Sequence, residues 1–420
     1  MKGIVFRELC PFRVQALLQE YQEGEGLLGR LVQIKDGDKL VIGRVVDFRR
    51  FPASLEEHDQ VSFREETVLD IELLTALSGG VRVPLNFPIK HLSEVEFLKE
   101  FPLESTAYTG YLGHFWGTNI KAPLILQDFQ TLKEAYHFFV AGQTGSGKST
   151  LVQMLLALYN KLNPRMNFLI LDTFGEFTAS FKGKRELFLH LKDVWNGDVE
   201  IYTPPKNLAL ETIKDVIGRF LNSALEGSSG KCVVLDLTLY KAGGDPVALR
   251  TEYVRETLRQ LYNAGLELYR RSGNLNLNTL VVLEEAHNYV PNRTDDDETT
   301  VLSNEIVKYF IETKDFGIGW MCITTLPSNV RREVFDHSRV KFIGMGLTSR
   351  PDAELLKEAF GSEFFNIYRL FPDPLDPLSP KKEFCFAISG PITILSRQSP
   401  EFITVFSSKE EFIKANWEEG

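Results

Sequence analysis

Two styles of hydrophobic patterning divide the chain. Over the first ~95 residues the apolar stretches are short and rich in β-branched residues, with tight turns between them. Arg30 to Ile34 and Leu40 to Val46 are two such runs, and Asp36-Gly37 between them is a hairpin signal. Thr67 to Leu74 is a third, turned by Ser78-Gly79-Gly80 into Val81 to Leu85. This spacing predicts a small barrel or sandwich.

From about residue 120 the apolar runs become nearly continuous and alternate with helical patterns. Phe138 to Ala141 leads into a Gly-rich loop, and Leu151, Leu155, Leu156 and Leu158 then fall on one helical face. Asn167 to Leu171 ends at Asp172, Cys232 to Leu235 at Asp236, and Thr279 to Leu283 at Glu284. Ile318 to Ile323 ends at Thr324, and Val340 to Met345 is a further candidate. Strands of this kind belong in a mainly parallel sheet covered on both faces, so the predicted fold class is α/β. Helices are expected at 210–225, 246–271, 300–314 and 350–360. A Pro-rich connector runs from Phe371 to Pro380, and edge strands are expected at 383–389 and 392–395. The charged stretch from Ser407 reads as a short helix or arm.

Composition narrows the classes. The 420 residues carry 47 Lys+Arg and 57 Asp+Glu, a net charge of −10, with 43% hydrophobic residues. That mix excludes wholesale disorder and a surface coated in basic charge. The four cysteines, Cys10, Cys232, Cys322 and Cys385, form no CxxC pair, so a reducing, cytoplasmic compartment is expected. No signal-peptide core and no membrane-length apolar run is evident, and no membrane partner is expected.

The chemistry concentrates at two places. Gly142, Gln143, Thr144, Gly145, Ser146, Gly147, Lys148 and Ser149 match G-x-x-x-x-G-K-[ST], with Thr150 next on the helix. Glycines let backbone N–H groups turn inward around phosphate oxygens. Lys148 is the charge for the β- and γ-phosphates of ATP, and Ser149 is a ligand for Mg²⁺. The second place is the strand end Glu284-Glu285-Ala286-His287. Mg²⁺ takes oxygen ligands, so Glu284 at the strand tip fits the metal-holding carboxylate. Glu285 fits the group that polarises the attacking water. His287 reads as a structural hydrogen bonder, and the acidic run Asp295 to Glu298 as a solvated loop. Asp172 and Glu176 are candidates for a place near the nucleotide or a subunit junction. Thr324 and Thr325 either sense the γ-phosphate or simply close a strand end.

These residues resemble the HerA-like branch of the HerA/FtsK translocases. The resemblance rests on Glu284 to His287 with Tyr289 to Pro291, on Lys314 to Gly317, and on Leu326 to Val330. Gly113 to Asn119, Tyr136 to Phe139 and Leu171 to Phe177 are also similar, as are the N-terminal strands around Gly43. It implies a RecA-like P-loop NTPase motor over 96–400, a HAS-barrel-like domain over 1–95, and a tail or arm over 401–420. It further implies a homo-hexameric ring with ATP and Mg²⁺ at subunit interfaces. Such a ring translocates double-stranded DNA, often with a NurA-type nuclease. The family's usual Ser-Gln-Arg-Pro-Ser is here Thr324-Thr-Leu-Pro-Ser328, and its usual Arg acting on the neighbour's γ-phosphate is here Lys314. Lys keeps the charge but not the bidentate fork, which leaves Arg331, Arg332 and Arg339 as substitutes. The alternative function is a nucleotide-gated ring that activates an effector such as a defence nuclease or NADase. Lys182 to Arg185 is the densest basic cluster and the candidate DNA-facing loop. Arg49-Arg50, Arg270-Arg271 and Arg331-Arg332 are pairs.

Overall fold

A computed structural model describes the chain except residues 1, 21–25, 58–59, 103–105, 185, 205–209, 227–229, 239–245, 273–275, 295, 379–381, 396–398 and 419–420. Arg185 and Asp295 therefore lie outside the described residues.

The N-terminal strands are β1 (Lys2–Cys10), β2 (Arg13–Glu20), β3 (Leu31–Asp36), β4 (Lys39–Glu57), β5 (Gln60–Ser78), β6 (Val81–Val83) and β7 (Glu94–Phe97). They pair in the order β2-β1-β7-β3-β4-β5-β6, and a further pairing of β2 with β5 closes six of them into a barrel. Closure leaves those six without a free edge. The expected hairpin forms, with Asp36 opposite Lys39 and Gly37 at φ 66° in the turn. Val32, Ile34, Val41, Val45, Leu69 and Ile71 fill the interior by alternation.

The second sheet holds β8 (Thr109–Phe115), β9 (Lys121–Ile125), β10 (Phe138–Ala141), β11 (Asn167–Asp172), β12 (Val199–Tyr202), β13 (Cys232–Asp236), β14 (Thr279–Leu283), β15 (Ile318–Thr324), β16 (Val340–Gly344), β17 (Cys385–Ser389) and β18 (Glu401–Val405). Their order is β12-β13-β11-β14-β15-β10-β16-β17-β18-β8-β9. The pairs from β12 to β16 are parallel, and those from β16 onward are antiparallel. The expected helices form at Leu210–Glu226, Pro246–Ser272, Asp297–Glu312 and Arg350–Phe360.

The C-terminal strands differ from the expected pair of edges. β17 is an interior strand rather than an edge, lying between β16 and β18. Residues 392–395 form no strand: Gly390 turns the chain at φ 121°, and Ile392 O accepts a hydrogen bond from Ile125 N at 2.9 Å. The strand comes later, at Glu401–Val405, and so the stretch expected to be a tail begins inside the sheet. Beyond it, the helical residues buried at Phe412, Ala415 and Asn416 pack on β8, where Asn416 Oδ1 accepts from Tyr111 N at 2.8 Å.

The helix Lys148–Leu162 follows the Gly-rich loop and is buried on every side from Leu151 to Asn160. A helix apolar all round must be covered all round. One side lies on the parallel strands; on another, Leu158 and Leu162 approach Gly110 of β8, where a side chain would crowd them. Barrel and large sheet meet at Arg44, which is 4% exposed. Its guanidinium pairs with Glu72 at 2.6 Å, donates to Pro400 O and lies 4.6 Å from the Phe402 ring.

Candidate nucleotide site

Parallel strands deliver all their C-terminal ends to one edge of the sheet, and the predicted chemistry collects there. The loop after β10 carries Gly145 at φ 85° and Gly147 at φ 87°. That left-handed geometry suits glycine and turns successive N–H groups toward one point. Lys148, 8% exposed, donates from Nζ to Gly142 O at 2.7 Å and Gln143 O at 3.1 Å. Burial lowers its pKa, while Glu285 and Glu176 oppose the shift. The Ser146 hydroxyl is fully buried within the loop and has no partner. A left-handed glycine loop opening a helix, with a Lys held on the loop's own carbonyls, fits a phosphate chain.

Glu284 and Glu285 follow β14 with different surroundings. Glu284 is 6% exposed, and its Oε2 accepts from Thr173 N at 2.9 Å, Thr173 Oγ1 at 3.0 Å and Phe174 N at 3.0 Å. Burial, with Asp172 and Glu176 nearby, pushes its pKa up to about 8. Its carboxylate thus clamps the turn after β11, a contact that strand periodicity could not reveal. Glu285 sits at φ 50° and ψ 53°, a left-handed conformation uncommon outside glycine. Its carboxylate meets His287 Nδ1 at 3.2 Å and accepts from Thr325 Oγ1 at 3.4 Å. Burial works to raise its pKa, but His287, Lys148 and Thr325 outweigh it and hold the carboxyl below its ordinary value. His287 also meets Thr324 Oγ1 at 3.1 Å, so the structural hydrogen bonder of the sequence is a bracket between two strand ends.

Asp172 and Glu176 stay beside Glu284, whereas the basic candidates disperse. Asp172 accepts from Gly175 N and Thr178 N at 2.7 Å each, capping the helix Glu176–Lys182. Lys314 precedes β15, is exposed, and therefore stands at the edge of the sheet opposite the phosphate loop of its own chain. Arg331 pairs with Glu333 at 2.6 Å, Arg332 with Asp336 at 2.8 Å, and Arg339 with Glu134 at 3.3 Å. Of the basic cluster, Lys182 ends the helix Glu176–Lys182 and lies 3.9 Å from Asp236, and Lys184 beyond it is exposed.

For Mg²⁺, the half-exposed Ser149 hydroxyl and the Glu284 side chain are the candidate oxygen donors, and Glu284 would give up the proton that burial favours on taking the ion. No cluster of three or more acidic, His or Cys side chains that could cage a metal exists among the described residues. That donor set fits an ion completed by phosphate oxygens and water. No helix among the described residues is long and apolar enough to cross a membrane.

A buried, mainly parallel sheet with this loop at its C-terminal edge defines a P-loop NTPase. Residues 112–228 match the family model described as "Helicase HerA, central domain" (DUF87), and over that segment the chain is similar to HerA proteins. The matched segment includes the phosphate loop and ends before Glu284. No curated protein matches the chain in sequence. Among solved structures it is similar to the genome packaging NTPase B204 from Sulfolobus turreted icosahedral virus 2 in complex with ATP-gammaS. That pair shares 12% identity at a TM-score of 0.38, covering 64% of this chain and 96% of that one. The pCW3 conjugation coupling protein TcpA is similar at 13% identity and a TM-score of 0.38, covering 91% and 89%. VirB4 of Thermoanaerobacter pseudethanolicus is similar at 12% and 0.39, covering 73% and 99%.

Proposed function

We propose that the chain is the subunit of an ATP-hydrolysing hexameric ring that translocates double-stranded DNA, working with a NurA-type nuclease in end processing. The observation that carries this reading is Glu285, at the end of β14 and held by His287 and by Thr325, which follows β15, the strand between β14 and the one that leads into Lys148. Lys148 would leave its two loop carbonyls to neutralise the β- and γ-phosphates. Ser149 and Glu284 would hold Mg²⁺, which offsets phosphate charge when bound. Glu285 would accept the proton of a water attacking the γ-phosphorus as the bond to the β–γ bridging oxygen breaks, giving ADP and phosphate. A proton acceptor must be ionised, and His287, Lys148 and Thr325 favour the ionised form of this carboxyl. Lys314, on the far edge, would serve a neighbour's phosphates rather than its own. Lys182 and Lys184 would face DNA, with weak affinity per subunit that fades with salt.

The test measures ATP turnover with and without duplex DNA. DNA is expected to raise turnover, and Glu285→Gln is expected to lower it by at least about 100-fold while ATP still binds. A protein that stays monomeric with ATP and DNA present overturns the ring.

A second reading is a nucleotide-gated ring that activates an effector nuclease or NADase. Leu326, 42% exposed after Thr325, and the internal pairing of Arg331, Arg332 and Arg339 favour it. Slow turnover indifferent to DNA, with effector activity dependent on ATP, would select this reading.

A further inference from the structure

The sheet order gives the phosphate loop two unlike flanks. On one side β15 and β14 bring the Thr, His and Glu groups. On the other, β16 and β17 bring apolar side chains. A Cβ built on Gly145 would lie 2.6 Å from Leu375 Cδ1, and one on Gly147 would lie 2.8 Å from Phe384 Cδ1. Phe384 immediately precedes β17. Because β17 runs antiparallel to β16, with Phe386 opposite Gly344, Phe384 emerges at the same edge as the loop.

Leu375 arrives on a separate segment. Phe371 is buried with Trp116, Tyr368 and Phe402 at ring separations of 5.4 to 5.6 Å, anchoring the start of the Pro-rich connector. Asp373 Oδ1 accepts from Leu375 N at 2.8 Å, and the proline rings restrict the backbone further. Leu375 is nevertheless 67% exposed. An anchored segment thus holds a large apolar side chain in solvent, against a phosphate loop.

A triphosphate has a direction. If its γ end meets Lys148 and Glu285, the sugar and base must leave toward the opposite flank. We infer that Phe384 and Leu375 form the wall that receives the nucleobase, Phe384 by ring contact and Leu375 by closing over it. The inference rests on the reading of the loop as a nucleotide site, and goes beyond it by assigning the base to two residues far from that loop in sequence.

The full-length protein is titrated by calorimetry with Mg-ATP and, separately, with Mg-tripolyphosphate, which has the phosphates and no base. Phe384→Ala should weaken ATP about tenfold and Leu375→Ala about threefold, with tripolyphosphate affinity unchanged for both. Phe384→Tyr should restore ATP affinity. If either Ala variant weakens both ligands equally, or leaves ATP unaffected, the base wall is overturned. Leu375, being on the surface, carries the test if Phe384→Ala fails to fold. If wild-type protein binds tripolyphosphate as tightly as ATP, the wall fails and the phosphate loop stands. Binding of neither ligand overturns both.

Discussion

The two flanks of the phosphate loop solve different problems with different chemistry. The β14–β15 flank is polar, partly buried and held by short-range contacts: Glu284 on the Thr173 turn, Glu285 on His287 and Thr325. The β16–β17 flank is apolar and reaches the loop through van der Waals contact on two glycines. Charge must be placed to within a fraction of an ångström to move a proton, whereas a flat ring needs only a surface of the right shape. The lesson is that reactivity and recognition need not share residues, and so should fail separately.

The sharpest attempt to break that separation is Lys148→Ala. Loss of a charged donor should weaken ATP and tripolyphosphate alike, each by about two orders of magnitude in calorimetry. A large difference between the two ligands would mean that the flanks are not independent. His287→Ala comes next. It should lower turnover about tenfold by freeing the Glu285 carboxylate, with ATP affinity within about twofold of wild type. An equal change in affinity would place His287 on the binding side instead.

The smallest effect belongs to Glu284 and is one of stability. Its folded pKa of about 8 stands above the ordinary 4.5, so the folded state holds a proton that the unfolded state has lost between those values. Stability from that proton is complete below about 4.5 and is lost as pH rises through 8. The melting temperature should therefore fall across this window, by roughly 1–3 °C. Glu284→Gln should flatten the slope in a scan from pH 6 to 9; an unchanged slope would remove Glu284 as its source.

Much of the polar flank was legible in the sequence because its signals are local. Apolar strands ending in Asp, Glu or Thr placed Asp172, Glu284 and Thr324 at strand tips, and the phosphate loop declared itself by spacing. The clamp of Glu284 on Thr173 was not legible, since it depends on β11 lying next to β14. The apolar flank was invisible for the same reason on a larger scale. Leu375 stands 230 positions after Gly145, and a Pro-rich run states only its local backbone preference. The strand at Glu401–Val405 was missed because it is short and its partners β17 and β8 come from both ends of the motor sequence.

That short strand has a mechanical meaning. Near its last residue, Val405 N donates to Phe384 O at 2.9 Å, just beside the phosphate loop. Just before its first residue, Pro400 O accepts from Arg44 of the barrel. Five residues thus form a rigid link with the barrel gripping one end and the apolar flank fastened to the other. A load applied to the barrel has a direct line, one strand long, to the neighbourhood of the nucleotide.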